Sequence, residues 1–405
     1  MSIFTTRTTC RSCGASELDP VLSLGETPLA NALLSDVGGR DECVPLDVVF
    51  CRRCALVQII EDVPPELLFR DYVYLSSFSD TTVANARSIA ERLIEERKLT
   101  SRSLVIEIAS NDGYLLRHYV WRGVSVLGIE PARNIAELTR RQHIETIDEF
   151  FTLDLAAKLA GRADVVHANN VLAHVADLNG FVQGIRVILK PGGIASIEVP
   201  YVREMIDHLE FDTIYHEHLC YFSLTALDSL FSRHGLTIGR VERLPIHGGS
   251  LRIFSGCDMP RDESVARLLD EEREWGVSSP SSYQRFGERV RALGDELRST
   301  LQRLKSEGKR IAAYGASAKG TTLLTFVGIG GETLDFVADR STVKQGKLTP
   351  GTHLPIVGPE ELEGRMPDYV LMLVWNFADE VLRQQEEYRR RGGKFIIPIP
   401  KVTIV

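Results

Sequence analysis

Two Cys-x2-Cys pairs, Cys10/Cys13 and Cys51/Cys54, stand near the start of this 405-residue chain. Zinc takes four soft or borderline ligands in a tetrahedron, and one Cys-x2-Cys turn supplies two of them. Cys10, Cys13, Cys51 and Cys54 are therefore expected to hold a Zn2+ ion. Gly14 after the first pair lets backbone N–H groups face the sulfurs, and Arg11, Arg52 and Arg53 are placed to offset thiolate charge. Residues 14–50 separate the pairs, too many for a short zinc ribbon, so a segment is inserted between the knuckles. A closed four-thiolate site leaves no position for substrate, which assigns it to folding. Bystander thiols or a redox pair are the competing reading. Cys43 reads as a buried thiol outside the ligand set.

A second constellation follows the apolar run Leu104–Ile108. The loop Glu107-Ile-Ala109-Ser-Asn111-Asp112-Gly113 lies where a doubly wound sheet binds a nucleotide. A dinucleotide loop would carry three glycines for a pyrophosphate. Only Gly113 is present, and acidic and amide groups replace the others. That exchange suits a cationic, phosphate-free ligand, S-adenosylmethionine (SAM), with Glu107, Ala109, Asn111, Asp112 and Gly113 around its ammonium end. Glu130, at the end of the next apolar run, is placed to accept both ribose hydroxyls. Phe150 and Phe151 could flank adenine, and Asn169 and Asn170 should line the donor pocket. A generic nucleotide-fold strand with unrelated polar loop residues is the alternative.

The third is Asp212-Thr-Ile-Tyr215-His216-Glu217-His218, after a strand ending at Glu198-Val-Pro200-Tyr201. Loops at the carboxyl ends of such strands roof the ligand crevice, so Glu198, Tyr201 and the histidine segment are expected to face an acceptor. His218 offers an imidazole that titrates near neutrality, Glu217 a carboxylate to orient it, Tyr215 a phenol to donate a hydrogen bond. His174 points from a neighbouring loop to the same crevice. Metal binding by the His-x-His pair and a purely structural role stay open. His118, His143, His167, His208 and His234 read as structural.

The elements that must position these groups are those of an α/β protein. Apolar runs at 104–109, 124–129, 165–168 and 193–199 alternate with helical or turn segments, as in a parallel sheet with crossover helices. A second such pattern begins at 310–314, with further runs at 334–338, 369–374 and 394–398, after a charged helical bridge over 262–309. A single core does not extend over so long a chain. The division is therefore a zinc-binding domain over 1–70, a SAM domain over 71–255 and a nucleotide-fold domain over 256–405. Hydrophobic content of 44% with 25% charged residues fits an ordinary globular protein. The net charge of −8 gives no basic face for nucleic acid. No run is long enough to span a membrane, and no signal-peptide core opens the chain. A cytoplasmic location is expected, where thiols stay reduced.

Over nearly its whole length the chain resembles the zinc-containing SAM-dependent sugar C-methyltransferases acting on nucleotide-linked 4-keto-deoxyhexoses. The knuckles, Tyr72-Val-Tyr74, Ser76-Ser-Phe78-Ser79, the Glu107–Gly113 loop and Tyr215–His218 carry the resemblance. So do His247-Gly-Gly-Ser250-Leu-Arg252, Tyr314-Gly-Ala-Ser-Ala-Lys319-Gly320, Asp339-Arg340, Lys344-Gln-Gly346 and Trp375-Asn376. It implies a zinc domain, a central Rossmann-like SAM domain and a C-terminal Rossmann-like domain, with the acceptor held between domains. It maps the catalytic base onto His218, beside Tyr215, Glu217 and His174. The implied reaction is methylation of a 4-keto-6-deoxy nucleotide sugar, at C-3 in the first instance, through a base-generated enolate.

Lys319, Arg340 and Lys344 then form a cradle for the base or diphosphate. His247 and Arg252 line the acceptor pocket, and Tyr72, Tyr74 and Phe78 cover the sugar or SAM. Ala109 departs from the glycine common in the family loop, which implies weaker donor affinity. Methylation at C-5 or oxygen, a non-catalytic nucleotide-sugar binder and a nucleic-acid-binding protein are the alternatives. The expected partner is the nucleotide sugar, without nucleic acid or membrane, and the multi-domain form is compatible with a monomer.

Overall fold

A computed structural model of the chain describes residues 3–36, 38–69, 75–246 and 248–405. Tyr72, Tyr74 and His247 lie outside the described residues. The N-terminal sheet is antiparallel, built from Leu18–Pro28, Cys43–Cys51 and Val57–Ile59. Its inner face is apolar, with Leu46, Val48, Phe50, Val57 and Ile59 fully buried. The fourth strand of this sheet is Cys220–Tyr221, which comes from the distant histidine segment. Cys220 pairs with Gln58 and Tyr221 with Val57. Cys43 is exposed, contrary to its expected burial, because it opens its strand on the face opposite the buried Val44, Leu46 and Val48.

The central sheet has a parallel core. Leu104–Ile108 lies between Ser125–Ile129 and Ala163–Asn169, with Thr146–Ile147 and Leu189–Pro200 outside them. Residues such as Val105, Ile106, Val166 and Ile197 are buried because helices cover both faces. An antiparallel hairpin, Thr237–Leu244 and Ser250–Gly256, closes one edge. The chain order around Leu104–Ile108 reverses there, which opens a crevice at the carboxyl ends of that strand and of Ala163–Asn169.

The C-terminal sheet repeats the plan. Ile311–Tyr314 is flanked by Val337–Ala338 and Tyr369–Met372, with Ile356–Val357 and Lys394–Ile397 beyond and an antiparallel Thr403–Ile404 at the edge. The charged bridge is two helices, Glu263–Trp275 and Pro280–Ser306. The second is more than a bridge. Tyr283 stacks on Phe50 of the N-terminal sheet with ring centroids 4.4 Å apart. A Cβ on Gly287 would come within 2.4 Å of the Val21 carbonyl oxygen, so only glycine lets helix and strand approach this closely. Among the described residues, no helix is long and apolar enough to cross a membrane.

Candidate active site

The four cysteine sulfurs lie within 4.8 Å of one another, with Cys10–Cys54 and Cys13–Cys51 each at 3.6 Å. Tetrahedral zinc with bonds of about 2.3 Å requires sulfurs about 3.8 Å apart, so the set fits the ion. The knuckles share one backbone form. Gly14 N–H donates to the Cys10 carbonyl and Ala55 N–H to the Cys51 carbonyl, each at 2.9 Å. Gly14 and Ala55 both take positive φ, +72° and +58°. Two of the arginines do not serve the thiolates as expected. Arg11 pairs with Asp62 and Arg52 with Asp19, since a carboxylate in bidentate or charged contact is the firmer partner.

The loop after Leu104–Ile108 and the end of the next strand set Asp112 and Glu130 close enough to act on the Glu107 carboxyl. Ala109, Asn111 and Gly113 all have positive φ, +58°, +47° and +74°. Among the described residues both carboxylate oxygens of Glu107 are buried without a hydrogen-bond partner, as are Ser110 Oγ and the Oδ1 atoms of Asp112, Asn169 and Asn170. Burial and the carboxylates of Asp112, Glu130 and Glu198 raise the Glu107 pKa well above its ordinary value. Buried carboxylate and amide oxygens left without a partner among the described residues fit a ligand that brings an ammonium and a positive sulfonium, which is the chemistry of SAM.

Glu130 accepts from Asn111 N–H at 2.8 Å and from Ala132 N–H at 2.9 Å, one on each oxygen. Each oxygen keeps a second lone pair for a ribose hydroxyl. Asn111 Oδ1 accepts from Ser76 N–H at 2.8 Å, tying the segment that ends in Phe78 over the loop. Phe78 itself is 75% exposed. Phe151 lies edge-on to Phe181, centroids 5.4 Å apart, on the helix Leu178–Ile188.

His218 is fixed at both nitrogens. Its Nδ1 lies 2.7 Å from the Thr213 carbonyl oxygen, which can only accept, so Nδ1 carries the proton. The Nε2 lone pair then faces the Tyr215 hydroxyl at 3.0 Å. His174 packs edge-on against His218 with centroids 4.7 Å apart. Full burial brings the His174 pKa down to about 4, so the ring is neutral near pH 7.

Glu217 does not orient His218. Its Oε1 accepts from Asn31 Nδ2 of the N-terminal domain at 2.6 Å, and its Oε2 is buried without a partner among the described residues. Burial raises its pKa to about 7. His216 Nε2 reaches the Val44 and Pro45 carbonyls at 3.2 and 3.1 Å, a strut to the zinc domain. Among the described residues, the four cysteines form the only cluster placed for a metal ion.

Three expected acceptor contacts are located elsewhere. Glu198 and Arg252 form a buried ion pair at 2.5 Å across adjacent strands, and Asn85 bonds both. Pairing answers the cost of burying two charges, and leaves neither exposed to a substrate. Tyr201 is buried beneath the Arg243 guanidinium, 5.6 Å from its ring, and faces the Glu263–Trp275 helix, not the crevice.

In the C-terminal domain Lys319 Nζ is buried without a hydrogen bond to any described residue, 4.9 Å from the Trp375 ring centroid. Its charge acts on Glu210 and Asp212 of the central domain, whose pKa values burial raises to about 7 and about 6. Trp375 Nε1 donates to Asp212 at 2.6 Å. Lys344 Nζ donates to the Ala316 carbonyl at 2.8 Å, and Asp339 accepts from Ala316 N–H, so this pair shapes the Gly315–Ser317 turn. Arg340 is exposed and lies 3.6 Å from Glu380. The motif reading includes Asp212 and Thr213 without giving them a role, and passes over Asn31. Thr213 and Asn31 act through a backbone carbonyl and an unremarkable amide. The Asn31–Glu217 contact joins positions 186 residues apart.

A parallel sheet with an acidic loop at its switch point, behind a four-cysteine cluster, defines a SAM-dependent methyltransferase with a zinc-binding domain. Family models agree along the chain: a zinc binding domain over residues 10–69, a methyltransferase domain over 82–241 and a C-methyltransferase C-terminal domain over 245–400. The C-methyltransferase NovU of Streptomyces niveus is 37% identical over 407 residues, covering 98% of this chain and 96% of NovU. The chain belongs to this C-methyltransferase family. Solved structures resemble it over a smaller part. The PH0226 protein of Pyrococcus horikoshii OT3 is 16% identical over 45% of this chain and 94% of its own, TM-score 0.38. Magnesium protoporphyrin IX methyltransferase of Synechocystis PCC 6803 is 12% identical over 43% of this chain and 78% of its own, TM-score 0.34.

Proposed function

We propose that the protein C-methylates a nucleotide-linked 4-keto-6-deoxy sugar, at C-3 and not at C-5, with His218 as the base. The observation that carries this reading is the fixed tautomer of His218, which leaves a basic Nε2 beside the Tyr215 hydroxyl and the neutral His174 ring. A carbon nucleophile needs a proton removed next to a ketone, and the developing oxyanion must be stabilised as it leaves. Nε2 of His218 takes that proton. As Nε2 takes it, the Tyr215 hydroxyl turns from Nε2 to donate to the enolate oxygen, or the N–H of the neutral His174 ring does so. Glu217 Oε2 accepts from a sugar hydroxyl.

Glu107, Asp112, Asn169, Asn170 and Glu130 hold SAM, which supplies an electrophilic methyl group to the carbanion. Residues 1–70 and 71–255 then serve as zinc and SAM domains, and 256–405 hold the nucleotide through Lys319, with Lys344 shaping the turn beside it. Tyr72, Tyr74 and Phe78 remain candidates for covering the sugar or SAM, His247 for lining the acceptor pocket and the exposed Arg340 for the nucleotide. The test is product mass spectrometry with SAM and a panel of 4-keto-6-deoxy nucleotide sugars. One added methyl, placed on C-3 by NMR, supports the reading. A methyl on oxygen or on C-5, or none across the panel, overturns it.

A further inference from the structure

The segment inserted between the two knuckles crosses from the zinc domain to both other domains. Ala30 carbonyl accepts from Thr321 Oγ1 at 3.1 Å, on the helix Ala318–Val327 that carries Lys319. Leu34 and Leu348 exchange backbone hydrogen bonds at 3.1 and 2.8 Å. His353 Nε2 meets Asp41 at 2.7 Å. Between these anchors Asn31 Nδ2 reaches Glu217 Oε1 at 2.6 Å. A zinc knuckle alone needs none of this.

We propose that Asn31 is a positioning residue: held between the zinc and C-terminal domains, it fixes the Glu217 carboxyl so that Oε2 is left open to a substrate hydroxyl. The proposal rests on the reading of this crevice as the active site. Among the described residues Glu217 Oε2 is buried with no partner, so an acceptor is in place for a hydroxyl donor. Only burial and the Asn31 amide act on the carboxyl, and no charged side chain among the described residues contributes. The titratable rings around it are His174, which bonds the Glu217 backbone, and His216 and His218 in the same segment. Burial disfavours the charged form of both His174 and His216. Lys319 acts instead on Glu210 and Asp212.

An amide donor favours the ionised carboxyl, so its loss raises the Glu217 pKa. The test compares the full-length zinc-loaded enzyme with Asn31→Ala and Asn31→Asp. Glu217 is followed by carboxyl 13C NMR, assigned through Glu217→Gln, alongside zinc content and kcat and KM against pH. Expected for Asn31→Ala are full zinc content, a Glu217 titration about one unit higher, and a matching rise of the acid limb of kcat. One unit means an about tenfold smaller ionised fraction on that limb. Asn31→Asp, which sets a second carboxylate against Glu217, shifts it further. An unchanged Glu217 titration in both variants overturns the proposal, as does a shifted titration with unchanged kcat and KM profiles in an active enzyme. If the wild type methylates no 4-keto sugar, the proposed reaction falls by itself, and the NMR titration still reports whether Asn31 holds the carboxyl.

Discussion

The Nδ1–H of His218 donates to the Thr213 carbonyl across 2.7 Å, and this one bond decides where the imidazole lone pair lies. A backbone carbonyl can only accept, so Nε2 is the basic nitrogen, and the Tyr215 hydroxyl meets it at 3.0 Å. Catalytic histidines are often aimed by a carboxylate. Here Glu217, next in the chain, turns away to Asn31, and the backbone takes that role.

If Tyr215 and His174 serve the enolate oxygen, their loss should lower turnover more than substrate affinity. Tyr215→Phe and His174→Asn are each expected to reduce kcat by about 100-fold, as for loss of one oxyanion donor, with KM changed little. Steady-state kinetics on the methylated substrate check this. A raised KM with unchanged kcat would make them binding groups.

Zinc is remote from chemistry yet coupled to it. The strand Cys220–Tyr221, two residues after His218, completes the zinc-domain sheet, and His216 bonds the Val44 and Pro45 carbonyls. Removing the ion with a chelator, or by Cys54→Ser, should unfold the N-terminal sheet and release the His218 segment with it. Structural zinc contributes on the order of 10 kcal/mol to small folded sites. The expected result is a large fall in thermal stability and in kcat, with SAM still bound by the central domain. Calorimetry and SAM titration check it, and retained kcat in zinc-free protein would refute it.

Ala109 occupies a backbone position with φ of +58°. An L-residue there costs about 1 kcal/mol that glycine does not. Ala109→Gly should therefore tighten SAM binding by a few-fold and gain up to about 1 kcal/mol of stability, less the greater freedom of glycine in the unfolded chain. Isothermal titration and denaturant melts check both.

The Glu217 carboxyl has its folded pKa raised from 4.5 to about 7 by burial. Its contribution to stability is full below pH 4.5 and is lost as pH rises through 7. The stability of the wild type relative to Glu217→Gln should accordingly fall by up to about 3 kcal/mol across that window and then level off. Glu210 and Asp212 act in the same direction. His174, with its pKa brought down to about 4, acts oppositely, its contribution lost as pH falls from 6.5 to 4. The comparison with Glu217→Gln cancels these neighbours. Chemical denaturation at pH 4.5, 5.5, 7 and 8 measures it.

Much of this was legible in the residues. Zinc ligands sit in pairs of fixed spacing, so Cys10, Cys13, Cys51 and Cys54 announce themselves, and four sulfurs within 4.8 Å agree. The donor loop is legible because a strand end must deliver it, and among the described residues Glu107, Asp112, Asn169 and Asn170 keep buried oxygens without a partner. What local sequence does not carry is pairing at a distance. Glu198 and Arg252 looked like ligand groups, and only the sheet register shows that they neutralise each other. Tyr201 follows the right strand but turns into the core beneath Arg243. A strand of two residues, Cys220–Tyr221, has too little pattern to predict, yet it fastens the catalytic segment to another domain.

The most direct test of His218 as base is solvent deuterium uptake into the 4-keto sugar, compared between wild type and His218→Asn at matched folding. The wild type should incorporate deuterium at the α carbon even without SAM, and His218→Asn should lose that exchange together with methyl transfer. Exchange or turnover retained by folded His218→Asn would contradict the account and assign the proton to another group.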